Sequence, residues 1–195
     1  GTTSKEDYKY VRGKGADVQF TKALPYPDFL LKHANLSMNL LETDIQGELK
    51  DLTDHINSQG FKASYEVLDV NNEDEVSNFI NNAEPFDILI NNAGTNRPAK
   101  LIDTKIEDFD YVMSLNVRSV ISLTKLVVKK MLDSNIKGSI INVSSQMGHV
   151  GGPNRTTYCS SKFAIEGFTK SLAIELGPDG IRVNAICPTF IQTPM

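Results

Sequence analysis

Cysteine and histidine are scarce in this chain of 195 residues. It has two cysteines, Cys159 and Cys187, and three histidines scattered along the sequence. A metal centre generally needs several such side chains at ligand spacing, so the sequence predicts no metal site. So few cysteines are also typical of a protein kept in a reducing compartment, and we expect a cytoplasmic one.

A surplus of basic residues and a long hydrophobic run are also missing. The net charge of −4 leaves no cationic excess to neutralise phosphates, so neither nucleic acid nor an anionic membrane surface is expected as a partner. No apolar run reaches the ~18–20 residues of a membrane span. The first twenty residues are too polar for a signal peptide. With 40% apolar and 23% charged residues, the composition predicts one globular domain.

Helical and strand patterns alternate from about residue 46 onward. Helices are predicted near 49–58, 76–80, 106–133 and 156–176, the last closed by Gly177-Pro178. Between them lie the extended KASYEVLDV and the apolar runs FDILINNAG, SIINVSS and IRVNAIC. Strands separated by helices predict βαβ units. We therefore expect an α/β fold: a Rossmann-like, doubly wound parallel sheet in a single domain.

Polar motifs fall where these strands end. Asp69 closes one predicted strand, Asn91-Asn92-Ala93-Gly94 the next, Ser145 the next, and the segment 188–193 (PTFIQT) the last. Such sheets bind ligands at the carboxyl ends of their strands. The coincidence of four motifs at one edge predicts the binding site.

Ser145, Tyr158 and Lys162 supply the chemistry. Tyr158 and Lys162 are four residues apart in a predicted helix and so share one face. An ammonium beside a phenol favours the phenolate, which makes a tyrosine usable as an acid or base near neutral pH. Ser145 follows an apolar strand and can donate a hydrogen bond into the same space. Together they predict an acid/base centre for an alcohol or a carbonyl.

These motifs resemble the short-chain dehydrogenase/reductase family, over about residues 46 to 195. The resemblance is to its compact single-domain type, which includes ketoacyl-carrier-protein reductases and gluconate-type sugar-acid dehydrogenases. It implies that Tyr158 is the catalytic acid/base, that Lys162 assists it and binds the nicotinamide ribose, and that Ser145 polarises the substrate oxygen. Asn116, in MSLNVRSV, resembles the family's fourth catalytic residue, which disturbs a helix and holds a proton-relaying water. His149 lies where the family builds its substrate pocket.

The same resemblance implies a nicotinamide cofactor. Its expected contacts are Asp69, Asn91, Ala93, Gly94, Tyr158, Lys162, Pro188, Ile191 and Thr193. Where the family usually has Pro-Gly, this chain has Pro188-Thr189, which is tolerable unless the backbone needs a positive φ. Either NAD or NADP is possible. Glu42 or Asp44, with no arginine nearby, gives a weak preference for NAD.

The first 45 residues depart from the family. The nearest match to its glycine-rich turn is the stretch 12–19 (RGKGADVQ), in which Gly13 fits but Asp17 and Gln19 replace glycines. A carboxylate near a pyrophosphate is repelled, and side chains block close backbone approach. We expect residues 1–45 to be an atypical segment in place of the first βα unit, residues 46–195 to be the dehydrogenase core, and the fold to be incomplete at both ends.

Two functions from different classes follow. The first is an NAD(P)-dependent oxidoreductase that interconverts a secondary alcohol and a ketone on a small polar substrate, a sugar acid or a ketoacyl thioester. The second is a catalytically silent or fragmentary family member acting through protein contacts. An extended short-chain epimerase or dehydratase is disfavoured by the Asn-Asn-Ala-Gly motif and by the lack of a separate substrate domain. In either case the family pairs subunits through helices 106–133 and 156–176, which predicts a homo-oligomer.

Overall fold

The computed structural model describes residues 11–13, 16–21, 28–31 and 45–189, and its strands form two three-stranded sheets. The strands are β1 (Val11–Gly13), β2 (Ala16–Thr21), β3 (Asp28–Leu31), β4 (Ile88–Asn91), β5 (Ser139–Val143) and β6 (Arg182–Ile186). The helices are α1 (Ile45–Ser58), α2 (Glu73–Asn82), α3 (Ile106–Met113), α4 (Ser119–Asp133) and α5 (Thr156–Leu176). Three short 3-10 turns span Leu101–Asp103, Gln146–Gly148 and Gly177–Asp179.

The second sheet is parallel, in the order β4-β5-β6. Ile88 lies opposite Ser139 in the first pair, and Ser139 lies opposite Arg182 in the second. The crossover from β4 to β5 runs through α3 and α4, and that from β5 to β6 runs through α5. This arrangement confirms the predicted Rossmann-like α/β fold with a parallel sheet.

The hydrophobic core joins this sheet to the helices that cover it. Ile140, in the central strand, and Met131, in α4, are completely buried. The core cluster is Val76, Ile80, Phe86, Leu89, Leu123, Val127, Met131, Ile140, Leu176, Ile181 and Val183. Because β4, β5 and β6 are parallel, their carboxyl ends all face the same edge of the sheet.

Three helix boundaries follow the local signals in the sequence. Helix α5 covers residues 156–176 as predicted, and Gly177-Pro178 begins the turn that ends it. Helix α1 ends at Ser58, and Gly60 follows with φ +83°, a conformation that favours glycine. The stretch 106–133 is helical throughout but contains a π-helical segment, Ser114–Arg118, between α3 and α4.

The predicted strand KASYEVLDV is wrong. Residues 61–69 are described, and none of them belongs to a strand. Tyr65 and Val67 are 39% and 48% exposed, although Leu68 packs against the core. A strand needs a neighbour, and the strands described at the amino-terminal end pair with one another instead.

Those amino-terminal strands form an antiparallel sheet in the order β1-β2-β3. Gly13 lies opposite Ala16, and Val18 pairs with Val11 on one side and Leu31 on the other. We expected this part of the chain to lack the strand–turn–helix of a first βα unit. The strands described there form two antiparallel pairs, β1 with β2 and β2 with β3. The division at residue 45 stays a prediction.

One helical stretch in the described part of the chain, Ile106–Asp133, is long and apolar enough by composition alone to cross a membrane. The same test is passed by core helices of α/β folds. Here 44% of its most apolar window is buried within the fold, and Leu123, Val127 and Met131 belong to the core. The absence of a membrane partner stays a prediction.

Candidate active site

Backbone hydrogen bonds hold together the segments that follow β5 and β6. Ser144 donates its backbone N–H to the Ile186 carbonyl at 2.8 Å, and Gln146 donates to the Pro188 carbonyl at 3.0 Å. Ser145, which caps the turn 146–148, therefore lies beside Pro188. Two of the predicted motifs thus meet at the carboxyl edge of the sheet.

Asn91 connects the strands behind this edge. It is 4% exposed, and its Nδ2 donates to Asn142 Oδ1 at 2.8 Å and to Thr124 Oγ1 at 2.9 Å. Asn142 in turn donates to Thr169 Oγ1 on α5. These bonds tie β4 to β5 and both strands to the helices that cover them. Thr124, Asn142 and Thr169 were not predicted, because single polar residues in helices and strands carry no local signal.

Asn116 lies in the π-helical segment and is 1% exposed. Its Oδ1 accepts the Thr95 backbone N–H at 2.7 Å, and its Nδ2 donates to the Thr95 carbonyl at 2.9 Å and to Ser161 Oγ at 3.0 Å. The side chain thus joins the segment after β4 to helix α5. The π-helical segment confirms the predicted helix disturbance at Asn116. Such insertions are rare in proteins, and those that occur often lie at functional sites.

Gly94 lies between these groups. A Cβ atom at this position would come within 3.3 Å of Asn116 Oδ1 and 3.6 Å of Lys162 Nζ. The structure therefore brings Gly94, Asn116 and Lys162 together, as the motifs predicted. Glycine keeps the backbone close to the catalytic side chains, and a larger residue would crowd them.

Lys162 is 5% exposed, and its ammonium lies beside the sheet edge. Nζ donates to the Val143 carbonyl at 2.8 Å and lies 5.6 Å from the centroid of the Tyr158 ring. Desolvation by burial lowers the pKa of Lys162 from 10.5 to about 8, although the nearby Cys187 thiol partly opposes this shift. An ammonium has three N–H donors, so two remain for a ligand. The predicted shared face of Tyr158 and Lys162 is confirmed.

Ser145 is 8% exposed, and its Oγ accepts the Met147 backbone N–H at 3.1 Å. A hydroxyl has one proton to donate, and accepting this bond leaves that proton available. Tyr158, half-buried on the first turn of α5, projects from the neighbouring element. Ser145 can therefore donate toward an oxygen placed between the turn 146–148 and α5.

Asp69 is not at the end of a strand, since residues 61–69 form none. Its Oδ1 accepts the Asn71 backbone N–H at 2.9 Å, in a turn that leads to the cap of α2 at Asn72. A contact between Asp69 and the adenine stays a prediction, as does one from Ala93. Ile191 and Thr193 lie outside the described residues.

Thr189 fits its position. The described residues other than glycine with a positive φ are Asn135 and Asn154. Thr189 is therefore free of the backbone strain that a threonine in place of glycine could cause.

The side chains of His149, Glu166 and Cys187 meet near Lys162. The sequence did not predict this contact. Cys187 donates its thiol to Glu166 Oε1 at 3.1 Å, and His149 Nε2 lies 3.3 Å from Cys187 Sγ and 3.6 Å from Glu166 Oε2. The expectation that histidines and cysteines are too scattered to cluster is therefore wrong for this part of the chain. Their separation in sequence hid a contact that the carboxyl ends of β5 and β6 create.

Comparison with known proteins identifies the family. The sequence pattern of the short chain dehydrogenase family matches residues 33–195. The chain belongs to this family. Oxidoreductase UcpA of Escherichia coli (strain K12) is 38% identical over 162 residues, which is 80% of this chain and 61% of UcpA. The 3-oxoacyl-[acyl-carrier-protein] reductase FabG of Thermotoga maritima is 41% identical over 133 residues, covering 66% of this chain and 54% of FabG.

Solved structures agree. An NAD+-bound xylitol dehydrogenase superposes with a TM-score of 0.73 at 32% identity, covering 80% of this chain and 60% of that one. Other similar structures were solved with NADP bound. This dehydrogenase-family chain therefore resembles ketoacyl reductases, as the motifs predicted. It spans between 54% and 61% of the length of the two curated relatives named above.

Proposed function

We propose that the chain carries the site of an NAD(P)-dependent oxidoreductase that interconverts a secondary alcohol and a ketone on a small polar substrate. The observation that supports it is the convergence of Asn116, Ser145, Tyr158 and Lys162 at the carboxyl edge of the parallel sheet. Helix propensity alone would not bury a lysine at 5% exposure beside a tyrosine ring. Buried, perturbed lysines are typical of catalytic sites.

The described residues fit the nicotinamide half of the cofactor better than the pyrophosphate half. Lys162 has two free N–H donors for ribose hydroxyls, and Gly94 keeps the backbone small beside it. At the other end, the stretch 12–19 lies largely in two antiparallel strands instead of a turn leading into a helix. Bound nicotinamide would supply a hydride donor or acceptor at its C4 position.

The chain's own groups handle the proton and the substrate oxygen. Tyr158 gives its phenolic proton to a carbonyl oxygen in reduction and removes a proton from the alcohol in oxidation. Ser145 donates its free hydroxyl proton to the same oxygen, which matters most as negative charge develops there. The Lys162 ammonium lies 5.6 Å from the centroid of the Tyr158 ring, and Asn116 holds the segment after β4 against α5.

The substrate class rests on the relatives. FabG is named as a 3-oxoacyl-[acyl-carrier-protein] reductase, and a similar solved structure is named as a xylitol dehydrogenase. Both names fit a small polar carbonyl or carbinol, a sugar acid or a ketoacyl thioester for this chain. The preference for NAD rests on Glu42 and Asp44, which lie outside the described residues, and stays a weak one. A cytoplasmic location is part of this proposal.

Subunit pairing through the two long helices is also proposed. Exposed apolar side chains occur on both α4 and α5, and an unpaired helix face of this kind is favoured at interfaces. They are Ile121 and Leu132, at 42% and 43% exposure, and Phe163 and Ile174, at 50% and 81%. A second copy of the chain is the partner the family would supply.

A silent family member is the second candidate, and the amino-terminal sheet favours it. If no pyrophosphate can be held, the proton-transfer groups have no cofactor to work with. Titration of the purified chain with NADH and with NADPH, followed by nicotinamide fluorescence, separates the two candidates. Saturable binding supports the oxidoreductase. No binding of either at millimolar concentration would contradict the oxidoreductase for this chain and leave its family membership intact.

A further inference from the structure

Three ligand-type side chains converge beside the catalytic group from separate elements. His149 follows the turn after β5, Glu166 lies one helical turn beyond Lys162 on α5, and Cys187 follows β6. One ligand atom from each lies within 4.8 Å of the others. The sequence placed His149 near the substrate pocket, but none of the three has a role in the proposed proton transfer, and we call them the 149/166/187 cluster.

The spacing within the cluster suits a small tetrahedral ion. Sulfur, nitrogen and oxygen ligands bind zinc at about 2.0–2.3 Å, which places neighbouring ligands of a tetrahedron roughly 3.3–3.6 Å apart. The observed separations are 3.1 Å for Cys187 Sγ to Glu166 Oε1, 3.3 Å for His149 Nε2 to Cys187 Sγ, and 3.6 Å for His149 Nε2 to Glu166 Oε2. The two carboxylate contacts use different oxygens, and one ligand atom from each residue lies within 4.8 Å of the others, so movements on the order of an ångström would complete three corners.

Glu166 gives an independent reason to expect a cation. It is 7% exposed, and no lysine or arginine in the described part of the chain forms an ion pair with it. Buried carboxylates are generally paired with a cation or bound to a metal. Lys170 acts on it only as a more distant charge.

Ser144 gives a second reason. It is 3% exposed and its hydroxyl faces the same carboxylate and thiol, yet Oγ makes no hydrogen bond of regular geometry. A Cβ atom at Gly148 would lie 2.9 Å from Ser144 Oγ and 3.0 Å from Glu166 Cγ, so these two groups enclose one small space. A buried hydroxyl without a hydrogen-bond partner needs an explanation, and a bound ion is one.

In the metal-free protein the thiol proton takes the place of a cation. Desolvation and the hydrogen bond to Glu166 raise the pKa of Cys187. Burial would raise the pKa of Glu166, but the hydrogen bond from Cys187 and the nearby His149 and Lys170 hold it below its ordinary value. A thiol–carboxylate pair shares one negative charge. Replacing its proton by a divalent ion gives thiolate, carboxylate and neutral imidazole, whose two negative charges balance the ion.

We propose that His149, Glu166 and Cys187 form an open binding site for a single zinc-class divalent ion, next to but separate from Tyr158. His149 is the exposed entrance, with Cys187, and Glu166 is the buried anchor. The fourth position stays open to water, as in zinc sites with three protein ligands. Binding releases the Cys187 proton to solvent. The bound ion would connect the turn that follows Ser145 to α5 and to the end of β6. It would therefore stabilise the carboxyl edge of the sheet.

Cobalt(II) is the appropriate probe, because it replaces zinc and its spectrum reports the ligands. The full chain, treated with chelator, is titrated with Co²⁺ while absorption is recorded. We expect one equivalent to bind, with visible bands of tetrahedral intensity and a near-ultraviolet thiolate-to-cobalt band, all removed by added Zn²⁺. Thermal unfolding in the presence of Zn²⁺ should move to higher temperature, since the ion binds the folded state preferentially.

Single variants identify the ligands. Cys187→Ser should abolish the thiolate band and weaken Co²⁺ binding by at least about tenfold, and His149→Gln and Glu166→Gln should weaken it to a similar degree. Cys159→Ser is the matched control, since Cys159 is the other cysteine of the chain and lies outside the cluster. His55→Gln serves as the control for an exposed histidine. Both should bind Co²⁺ like the parent.

Several results would overturn the site. They are an unchanged thiolate band in Cys187→Ser, its loss in Cys159→Ser, and weak binding at several equivalents that none of the three variants alters. The last means adventitious binding only. Glu166 is buried, so Glu166→Gln is checked by circular dichroism. If that variant fails to fold, the surface variants at His149 and Cys187 decide the question alone.

Discussion

The carboxyl edge of the parallel sheet and the amino-terminal antiparallel sheet differ in how far their backbone N–H groups are occupied by strand pairing. After β4, β5 and β6 the chain leaves the ladder, and polar groups such as Ser145 and Lys162 can face a ligand. In β2, by contrast, Val18 pairs with Val11 on one side and Leu31 on the other. Backbone N–H groups used in two ladders cannot also bind a pyrophosphate.

This difference in backbone pairing explains why the candidate site residues lie at the parallel sheet. A parallel sheet leaves its strand ends together at one edge, so distant motifs meet there. An antiparallel hairpin consumes its backbone donors locally and opens no helix whose N-terminus could face an anion. The residues proposed for proton transfer lie in the first region, and a phosphate loop is missing from the described strands of the second.

The strongest test of the carboxyl edge removes one oxygen atom. Tyr158→Phe should lower turnover by about 10²–10⁴-fold, the range of general acid–base catalysis, while NADH affinity changes little. Steady-state rates and the fluorescence titration measure the two effects separately. Tyr111→Phe is the control, because the ring contact of Tyr111 with Arg97 does not need the hydroxyl. Equal losses of turnover and affinity in Tyr158→Phe would contradict the assigned role.

The next test crowds the same edge. A Cβ atom at Gly148 would come 3.1 Å from the Lys162 carbonyl and closer still to Ser144 and Glu166. Gly148→Ala should therefore lower the free energy of unfolding by about 1–3 kcal/mol. In α5, Gly167 has nothing within 4 Å of its added Cβ, so Gly167→Ala should stabilise by about 0.5–1 kcal/mol. Urea unfolding compares the two, and equal effects would show that the edge is not tightly packed.

The pH dependence of stability reports on Lys162. Its pKa is about 8 in the folded protein and 10.5 when unfolded, so between these values the unfolded chain binds more protons. The free energy of unfolding should therefore gain from rising pH in that window, by at most about 1.4 kcal/mol per pH unit from this group. Below pH 8 the lysine is protonated in both states and contributes no slope.

Lys162→Met should remove this contribution. Lys129→Met should keep it, because the Lys129 side chain is 73% exposed in its ion pair with Asp133. Urea unfolding of each protein on either side of pH 8 measures the difference. A pH slope in Lys162→Met as large as in the parent would assign it to other groups.

The smallest expected effect belongs to the amino-terminal sheet. Asp17→Gly with Gln19→Gly restores the glycines of the family's turn in sequence, but Asp17 pairs with Arg12 and Gln19 with Leu30 in ladders. We expect NADH affinity to change less than about twofold. The double variant keeps Phe20, which pairs with Phe29, so that the β2–β3 ladder is retained. A tenfold gain would mean that this stretch holds the pyrophosphate after all, and the contrast between the two regions would fail.

The predictable features are those that local spacing fixes. Tyr158 and Lys162 share a helix face because four residues make about one turn, and α5 ends at Gly177-Pro178 because both residues are poor helix formers. The strands FDILIN and SIINV were recognisable as continuous apolar runs, which buried parallel strands require. The prediction of a strand failed for residues 62–70 (KASYEVLDV), because an extended segment becomes a strand only when a neighbouring strand is available to pair with it.

The family, the parallel α/β core and the candidate acid/base residues could be read from the sequence alone. These features depend on motifs a few residues long and on hydrophobic periodicity. Both are properties of the sequence and do not depend on how the chain folds. Only the tertiary structure decided that Asn116 clamps Thr95 to Ser161, that Lys162 is desolvated, and that Glu166 meets Cys187 and His149. Those contacts join residues far apart in sequence, and the parallel sheet brings them together by gathering the carboxyl ends of its strands at one edge.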